Sequence, residues 1–217
     1  MLSSSQSDVN ATDAAQSKKM EGYYQLHSKI YDATRWSFLF GRGRVIDVAA
    51  AKVKPRRVLE IGCGTGKNIK KLLRVFPNAS VVGIDAAKAM IDVAEKELEA
   101  KKDQVELIHG LYEKPLGGEE KYDMVLISYC LTMVNPGWEG IVDVAIKDLA
   151  PGGVLAIVDF NHSPLGPFRR WMGVNHVRME GQILPELKKL DLEATSEVRR
   201  GYLGVWTYFL YVGKLTK

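Results

Sequence analysis

One short stretch, Val58–Gly66, constrains the fold of this chain more than any other. Val58–Ile61 has the pattern of a buried strand, and Gly62, Gly64 and Gly66 then alternate before a helical pattern starts near Lys67. Glycine adopts backbone angles that a Cβ forbids, and it lets the chain approach a ligand closely. Amide groups at a helix start favour a polar or negatively charged ligand group. The stretch therefore predicts a strand, a binding loop and a helix, in that order.

Two acids reinforce this interpretation. Glu60 precedes the glycines, and Asp85 ends a second apolar strand, Val81–Ile84, 19 residues after Gly66. An acid at this offset can bind the two hydroxyls of a ribose. The glycine spacing is G-x-G-x-G rather than G-x-G-x-x-G, which makes a flavin or NAD domain the weaker alternative.

From Pro55 onward, strand and helix patterns alternate. Strands are predicted at 58–61, 81–84, 105–109, 124–128 and 154–160, with helices at 67–75, 87–100, 138–149 and 183–191. Such alternation requires a parallel sheet covered on both faces. The last two strands, 195–202 and 205–214, are joined so tightly that they must be antiparallel. A chain of 217 residues fits one core.

The residues before Pro55 divide into two segments. Residues 1–17 have almost no apolar content and are predicted to be a disordered tail. Residues 18–54 carry apolar and aromatic residues at helical spacing. We predict an N-terminal helical lid over the site; the plainer interpretation is a helix docked on the sheet, and both can hold. Residues 55–217 form the predicted core domain.

The net charge of +4 is unevenly distributed. Residues 18–57 hold ten basic and three acidic side chains, which suit an anionic membrane or a nucleic acid, or simply a solvated helix. The two cysteines do not suggest a disulfide framework, and neither a signal peptide nor a run of ~20 apolar residues is visible. We therefore expect a cytoplasmic protein, with peripheral membrane contact as an alternative.

Glu60–Gly66 resembles the first motif of the class I S-adenosylmethionine (SAM) methyltransferases, and Leu149–Gly153 resembles a further hallmark of that family. The resemblance implies an α/β, Rossmann-like class I methyltransferase fold: a seven-stranded, mostly parallel sheet with an antiparallel last strand and the helical lid. It also implies SAM as cofactor, held by Glu60, Gly62, Cys63, Gly64, Gly66, Asp85, Ala86, Leu111, Tyr112 and Ser128. The family's acid for adenine after the third strand is missing, so Leu111, Tyr112 or backbone groups are expected to replace it.

The acceptor is predicted from residue types and from resemblance. The four histidines have no metal-site spacing, which favours an amine acceptor over metal-assisted oxygen chemistry. Aromatic faces suit the cationic product of amine methylation. Tyr31–Trp36, Ser128–Val134 and Ile157–Phe160 resemble segments of bacterial betaine-lipid and phosphatidylethanolamine N-methyltransferases. This resemblance implies an amine-bearing lipid as substrate.

Several side chains become candidates for the reaction. Tyr31 and Tyr129 are predicted to line the acceptor site, or else to pack in the core or lid. His176 is predicted to relay a proton, or to be an ordinary loop histidine. Tyr23, Arg35 and Trp171 are predicted to contact substrate, with surface charge as the alternative for Arg35. The apolar segment around Trp171, flanked by Arg169 and Arg170, is either a lid or a membrane contact.

Other functions remain open. The same fold methylates small soluble metabolites, and some members of the superfold transfer the aminocarboxypropyl group of SAM instead. A SAM-binding partner without catalysis is a further alternative, which the intact loop and Asp85 disfavour. Ser128–Leu131 does not match the motifs of nucleic-acid methyltransferases, so no nucleic-acid partner is expected.

Overall fold

The computed structural model describes residues 38–134 and 136–216. The chain divides into two units, Met1–Phe38 and Leu39–Lys217, and every element below belongs to the second. The predicted tail over residues 1–17 and the lid residues 18–37 therefore lie outside the described part of the chain.

Seven strands form a single sheet. They are β1 (Arg57–Ile61), β2 (Ser80–Asp85), β3 (Val105–His109), β4 (Tyr122–Ser128), β5 (Leu149–Phe160), β6 (Glu193–Gly201) and β7 (Trp206–Lys214). Their order is β3-β2-β1-β4-β5-β7-β6. β1 to β5 pair in parallel, and β7 runs antiparallel to both of its neighbours. The predicted seven-stranded, mostly parallel sheet with an antiparallel last strand is confirmed.

Helices cover both faces of this sheet. They are α1 (Arg42–Ala50), α2 (Lys67–Val75), α3 (Lys88–Leu98), α4 (Trp138–Asp148), α5 (Gly166–Val174) and α6 (Ile183–Leu187). α4 and α6 share one hydrophobic core with alternate residues of β1, β4, β5 and β7. α1 and α2 lie on the other face, where Ile69 packs on β2 at Gly83, and Gly41 adjoins Tyr208 and Val158. None of the helices in the described ranges is long and apolar enough to cross a membrane.

α1 falls within the segment predicted as a lid. Its Val45, Ile46 and Ala49 are fully buried, and it contacts β5, β7 and α2. This helix therefore packs on the sheet, in agreement with the second of the two interpretations of the N-terminal segment. A lid formed by the preceding residues stays a prediction.

Three elements differ from the sequence-based expectation. β5 begins at Leu149 rather than 154, because Leu149 pairs with Tyr122 and the register shifts before Met124. α5 occupies a segment that was predicted to be a loop. Its Pro167 stands in the first turn, where a missing amide proton leaves no helical hydrogen bond unmade. α6 ends at Leu187 rather than at Asp191.

The topology brings the candidate residues to one edge. In an open parallel sheet, ligands bind at the carboxyl ends of the strands, where the strand order reverses, here between β1 and β4. Because β7 runs the other way, the turn at 202–205 between β6 and β7 returns to this same edge. The edge thus has a β1–β2 half and a β4–β5 half, and the second half is flanked by that turn.

Candidate functional site

The glycine-rich loop has the backbone that the sequence predicts. Gly62, Gly64 and Gly66 have φ of 70°, 54° and 76°, in the left-handed region that favours glycine. A Cβ on Gly66 would lie 2.6 Å from Leu98 Cδ1, whereas a Cβ on Gly64 would meet no atom within 4 Å. Gly66 is therefore required for packing against α3, while Gly64 borders open space at the carboxyl edge.

Asp85 connects this loop to the end of β2 through hydrogen bonds. Its Oδ2 accepts a hydrogen bond of 2.8 Å from the Gly64 amide, and its Oδ1 accepts one of 2.9 Å from the Ala87 amide. The Gly62 and Cys63 amides both donate to the Ile84 carbonyl oxygen. Asp85 therefore lies beside the open space over Gly64, and each carboxylate oxygen keeps a lone pair for a further donor.

Glu60 is fully buried directly below the loop. Its Oε1 accepts a 2.7 Å hydrogen bond from Asn68 Nδ2 on α2. Burial raises the pKa of Glu60 to about 8, against the effect of that hydrogen bond. Glu60 Oε2 and the buried Ser128 Oγ have no hydrogen-bond partner within residues 38–134 and 136–216. Glu60 pairs with Leu126, so Ser128 follows on the same sheet face. Two buried polar atoms without a partner in these ranges therefore lie where β1 and β4 meet.

The two predicted cofactor residues after β3 differ in exposure. Leu111 is 70% exposed, while Tyr112 is buried. The Tyr112 hydroxyl donates a 2.6 Å hydrogen bond to Asp148, which also accepts from the Leu116 and Gly117 amides. Burial raises the pKa of Tyr112. The Tyr112 hydroxyl therefore lies in the core, and of this pair Leu111 is the exposed residue. Adenine binding by either residue stays a prediction.

Tyr129 follows β4 with a left-handed backbone, φ 54°. Such a conformation is strained for a bulky residue and is concentrated at functional sites. Its hydroxyl donates a 2.6 Å hydrogen bond to the Phe40 carbonyl oxygen, and its ring packs edge-on against Phe160 at 4.7 Å. Burial raises the pKa of Tyr129. Tyr129 therefore joins the start of α1 to the end of β4.

Asp159 holds the turn that follows Tyr129. This fully buried carboxylate accepts hydrogen bonds from Thr132 Oγ1 at 2.5 Å, the Thr132 amide at 3.2 Å and the Phe160 amide at 2.8 Å. Burial raises the pKa of Asp159 to about 6, although these donors oppose the shift. Next in the turn, Cys130 Sγ lies 2.9 Å from where a Cβ on Gly62 would be. The β4 turn and the glycine-rich loop are therefore in direct contact.

A cleft of about 960 Å³ opens on the β4–β5 half of the edge. It lies between the β4 turn, at Met133, and the segment 166–180 that contains α5. The predicted proton relay His176 lines this cleft, with Arg169, Arg170, Arg178 and Glu180. Trp171 is exposed on α5, where its ring packs on Phe168 at 5.8 Å.

An aromatic group lies next to the cleft, between α5, the 202–205 turn and the residue before α1. Phe168 stacks on Trp206 at 5.6 Å, and Tyr202 contacts the same indole at 4.9 Å. Phe40 touches Tyr202 at 5.3 Å, Trp206 at 6.0 Å and Tyr208 at 6.2 Å. We call this group the aromatic wall: Phe40, Phe168, Tyr202, Trp206 and Tyr208.

Comparison with known proteins identifies the core. Residues 58–153 match a family model described as a methyltransferase domain. The malonyl-[acyl-carrier protein] O-methyltransferase of Halalkalibacterium halodurans is 31% identical over 113 residues, which are 51% of this chain and 41% of that protein. The trans-aconitate 2-methyltransferase of Delftia acidovorans is 32% identical over 155 residues, 71% of this chain and 53% of that protein. The chain thus spans about half the length, or less, of these relatives.

A solved structure supports the same fold. The N-methyltransferase NodS from Bradyrhizobium japonicum WM9, in complex with S-adenosyl-L-homocysteine, matches with a TM-score of 0.64 at 17% identity. The match covers 81% of this chain and 86% of that chain. The predicted Rossmann-like methyltransferase fold is confirmed, and the domain match supports SAM as the cofactor expected of it.

The residues of this chain fit such a cofactor. Gly64 leaves space for a ligand, Asp85 lies beside that space, and Glu60 Oε2 and Ser128 Oγ are buried polar atoms without a partner in the described residues. Cys63 is buried within the loop, and burial raises the pKa of its thiol. Ala86 is exposed beside Asp85. Tyr23, Tyr31 and Arg35 lie outside the described residues.

Sequence reasoning missed Asn68, Thr132 and Asp159. The contact of Asn68 with Glu60 could have been predicted, because a polar side chain in the first helical turn after the glycines can reach back to the acid of the preceding strand. Asp159 belongs to a segment quoted for its resemblance, but nothing in the pattern shows that Thr132 would lie against it. Across the described residues, no three His, Cys, Asp or Glu side chains form a group that could hold a metal ion.

Proposed function

We propose that this protein transfers a methyl group from SAM to an amine nitrogen of an amino lipid head group. SAM supplies a methyl group activated on a sulfonium, so the protein's task is alignment of the two reactants. The β1–β2 half of the edge, with Glu60, Asp85 and the glycine-rich loop, is the cofactor side. The β4–β5 half, with its cleft and aromatic wall, is the acceptor side.

The aromatic wall is the observation that supports an amine as the methyl acceptor. A methylated ammonium is a cation that aromatic faces attract, by about 0.5–2 kcal/mol per well-placed ring. Phe40 and Tyr202 are 38% and 50% exposed and pack edge-on at 5.3 Å, so these two rings can offer faces to such a cation. Trp206 and Tyr208 are buried and support Phe40 from below. The amine must be neutral when it attacks, and His176 in the cleft is positioned to take its proton. Tyr129 then serves by positioning Phe40, and Tyr31 remains a candidate for the acceptor site.

Exposed apolar side chains support a lipid as the acceptor. Leu165, just before α5, Val174, at the end of α5, and Leu203, in the 202–205 turn, are 47%, 79% and 106% exposed. Arg170 on α5 and Arg200 near the end of β6 are exposed close to these residues in the sequence. An apolar surface rimmed with basic residues suits the surface of an anionic membrane. Trp171 belongs to the same proposed substrate side. Tyr23 and Arg35, outside the described residues, stay predicted substrate contacts.

A small soluble acceptor is the second candidate. It is favoured by the relative named trans-aconitate 2-methyltransferase, which shares 32% identity over 71% of this chain. The arginines of the cleft would also suit a small polyanion.

The test uses SAM labelled on its methyl group with purified protein and a total extract that is then separated into lipid and aqueous fractions. Label in a lipid head group is the expected result. Label in an aqueous product would instead support the second candidate. A parallel reaction uses SAM labelled in the carboxyl carbon, and transfer of that label alone would show aminocarboxypropyl chemistry. SAM binding without transfer of either label would overturn the proposal.

A further inference from the structure

The cleft on the β4–β5 half contains more positive charge than methyl transfer itself requires. Arg169, Arg170 and Arg178 line it, and Glu180 is the one acid among the lining residues that the structure describes. His176 adds a further ring nitrogen. A guanidinium presents a planar fork of donors that matches the oxygens of phosphate. Three of them around one concave space favour an anionic ligand group.

These arginines are attached to a well-anchored scaffold. Arg169 Nη1 lies 3.1 Å from the Ser163 carbonyl oxygen and 3.1 Å from His162 Nε2. The Arg178 amide donates to the Thr132 carbonyl oxygen at 3.1 Å. Met172, Val177 and Met179 are buried beneath the same segment. The cleft is therefore largely preformed, which lowers the entropic cost of binding an anion.

The position of the cleft links it to the acceptor. Thr132, which holds Arg178 through its carbonyl oxygen, is itself held by Asp159 at the end of β5. The same helix α5 carries Arg169 and Arg170 to the cleft and Phe168 to the aromatic wall. A volume of about 960 Å³ exceeds what a phosphate alone fills and leaves room for the rest of a head group.

We propose that this cleft binds the phosphate of the acceptor and thereby holds the amine beside the aromatic wall. The inference rests on the proposed function, because it assumes an amine acceptor, and it narrows the substrate class to phosphate esters that carry an amine. Both a phospholipid head group and a free phosphoamine have this chemistry.

The binding test measures inorganic phosphate titrated into the full-length protein by calorimetry, without any acceptor. Arg170→Gln and Arg178→Gln are each expected to weaken phosphate binding by about tenfold or more, because each removes a charge-assisted pair. Arg74→Gln is the matched control. It removes the same charge from an exposed residue in the last turn of α2, outside the cleft lining. Equal phosphate affinity in all four proteins would overturn the proposal.

The kinetic test identifies the source of the phosphate. Methyl transfer is measured with phosphoethanolamine in solution and, separately, with vesicles of phosphatidylethanolamine and phosphatidylglycerol. For whichever acceptor is used, Arg178→Gln is expected to raise KM about tenfold or more while kcat and SAM affinity change little. An unchanged KM would contradict the inference. If the wild type methylates neither acceptor, the proposed function fails, and the phosphate titration still decides the anion site on its own.

Discussion

At the scale of single residues, Glu60 combines complete burial with a carboxylate oxygen that has no partner in the described part of the chain. The hydrogen bond from Asn68 satisfies only the other oxygen. Burial disfavours the charged form, so the pKa rises to about 8. The site therefore holds a mostly protonated acid at pH 7 until a positive group arrives to stabilise its charge.

Proton release should accompany SAM binding. SAM carries positive groups, so its binding is expected to lower the pKa of Glu60 and release up to about one proton per SAM at pH 7. Calorimetry in buffers of different ionisation enthalpy measures this number directly. Glu60→Gln is the control and should show weaker SAM binding with no such release. A wild-type titration whose heat is independent of the buffer would contradict this assignment.

Glu60 should also cost stability at neutral and alkaline pH. Its folded pKa of about 8 lies above the ordinary value of 4.5 for this carboxyl group, so its stabilising contribution is complete below pH 4.5 and is lost as pH rises through 8. Glu60→Gln avoids this loss. The variant should therefore gain free energy of unfolding relative to wild type between pH 4.5 and 8, reaching on the order of a few kcal/mol. Denaturant unfolding across this pH range measures the difference, and parallel curves would rule out the raised pKa.

At the scale of elements, two glycines of the glycine-rich loop should affect different properties: Gly64 the affinity for SAM, and Gly66 the stability of the fold. The Cβ added by Gly64→Ala would meet no atom within 4 Å, but alanine would have to adopt the left-handed backbone of Gly64. The substitution should therefore lower the free energy of unfolding by only about 1–2 kcal/mol. It should weaken SAM binding by about tenfold or more, because the added methyl enters the proposed ligand space. Gly66→Ala is the comparison, since its clash with Leu98 should cost more stability. Wild-type SAM affinity in a folded Gly64→Ala protein would contradict the assignment of the space over Gly64 to the cofactor.

The β4 turn should depend on Asp159. Asp159→Ala leaves the Thr132 and Phe160 amides without their acceptor, which should lower the free energy of unfolding by about 2–4 kcal/mol. Thr132→Val removes only the hydroxyl donor and should cost less, about 1 kcal/mol. Denaturant unfolding of both variants tests this order. If the two variants were equally stable, the backbone amides would not be the groups that Asp159 satisfies.

The sequence predicted the elements better than the contacts between them. β3 and α2 begin and end where the periodicity places them, because alternating and helical apolar patterns are local properties. The left-handed glycines followed equally from their spacing. The pairing of Tyr112 with Asp148, 36 residues apart, could not be predicted, because it depends on how the β3 end folds back over the sheet. α5 was missed because Pro167 and Gly166 indicate a loop when the helix start is unknown.

At the scale of the whole molecule, the carboxyl edge should be the face that meets a membrane. Leu203→Asp adds a negative charge to the most exposed apolar residue, at a left-handed position that Asp tolerates. It should weaken sedimentation with phosphatidylglycerol vesicles several-fold. Val198→Asp is the matched control, because Val198 is 51% exposed on β6 away from the turn. Equal losses in the two variants would indicate a general charge effect rather than a contact at the turn.

The position of β6 at the end of the sheet bears on how copies of this protein meet. A nine-residue outer strand is a template on which another chain can add a strand. Most of its residues are exposed, and Glu193, Glu197, Arg199 and Arg200 place charges along it. Charged side chains on a terminal strand oppose such pairing. The same strand that carries the chain back to the binding edge therefore also disfavours pairing of two copies of the protein through their sheets.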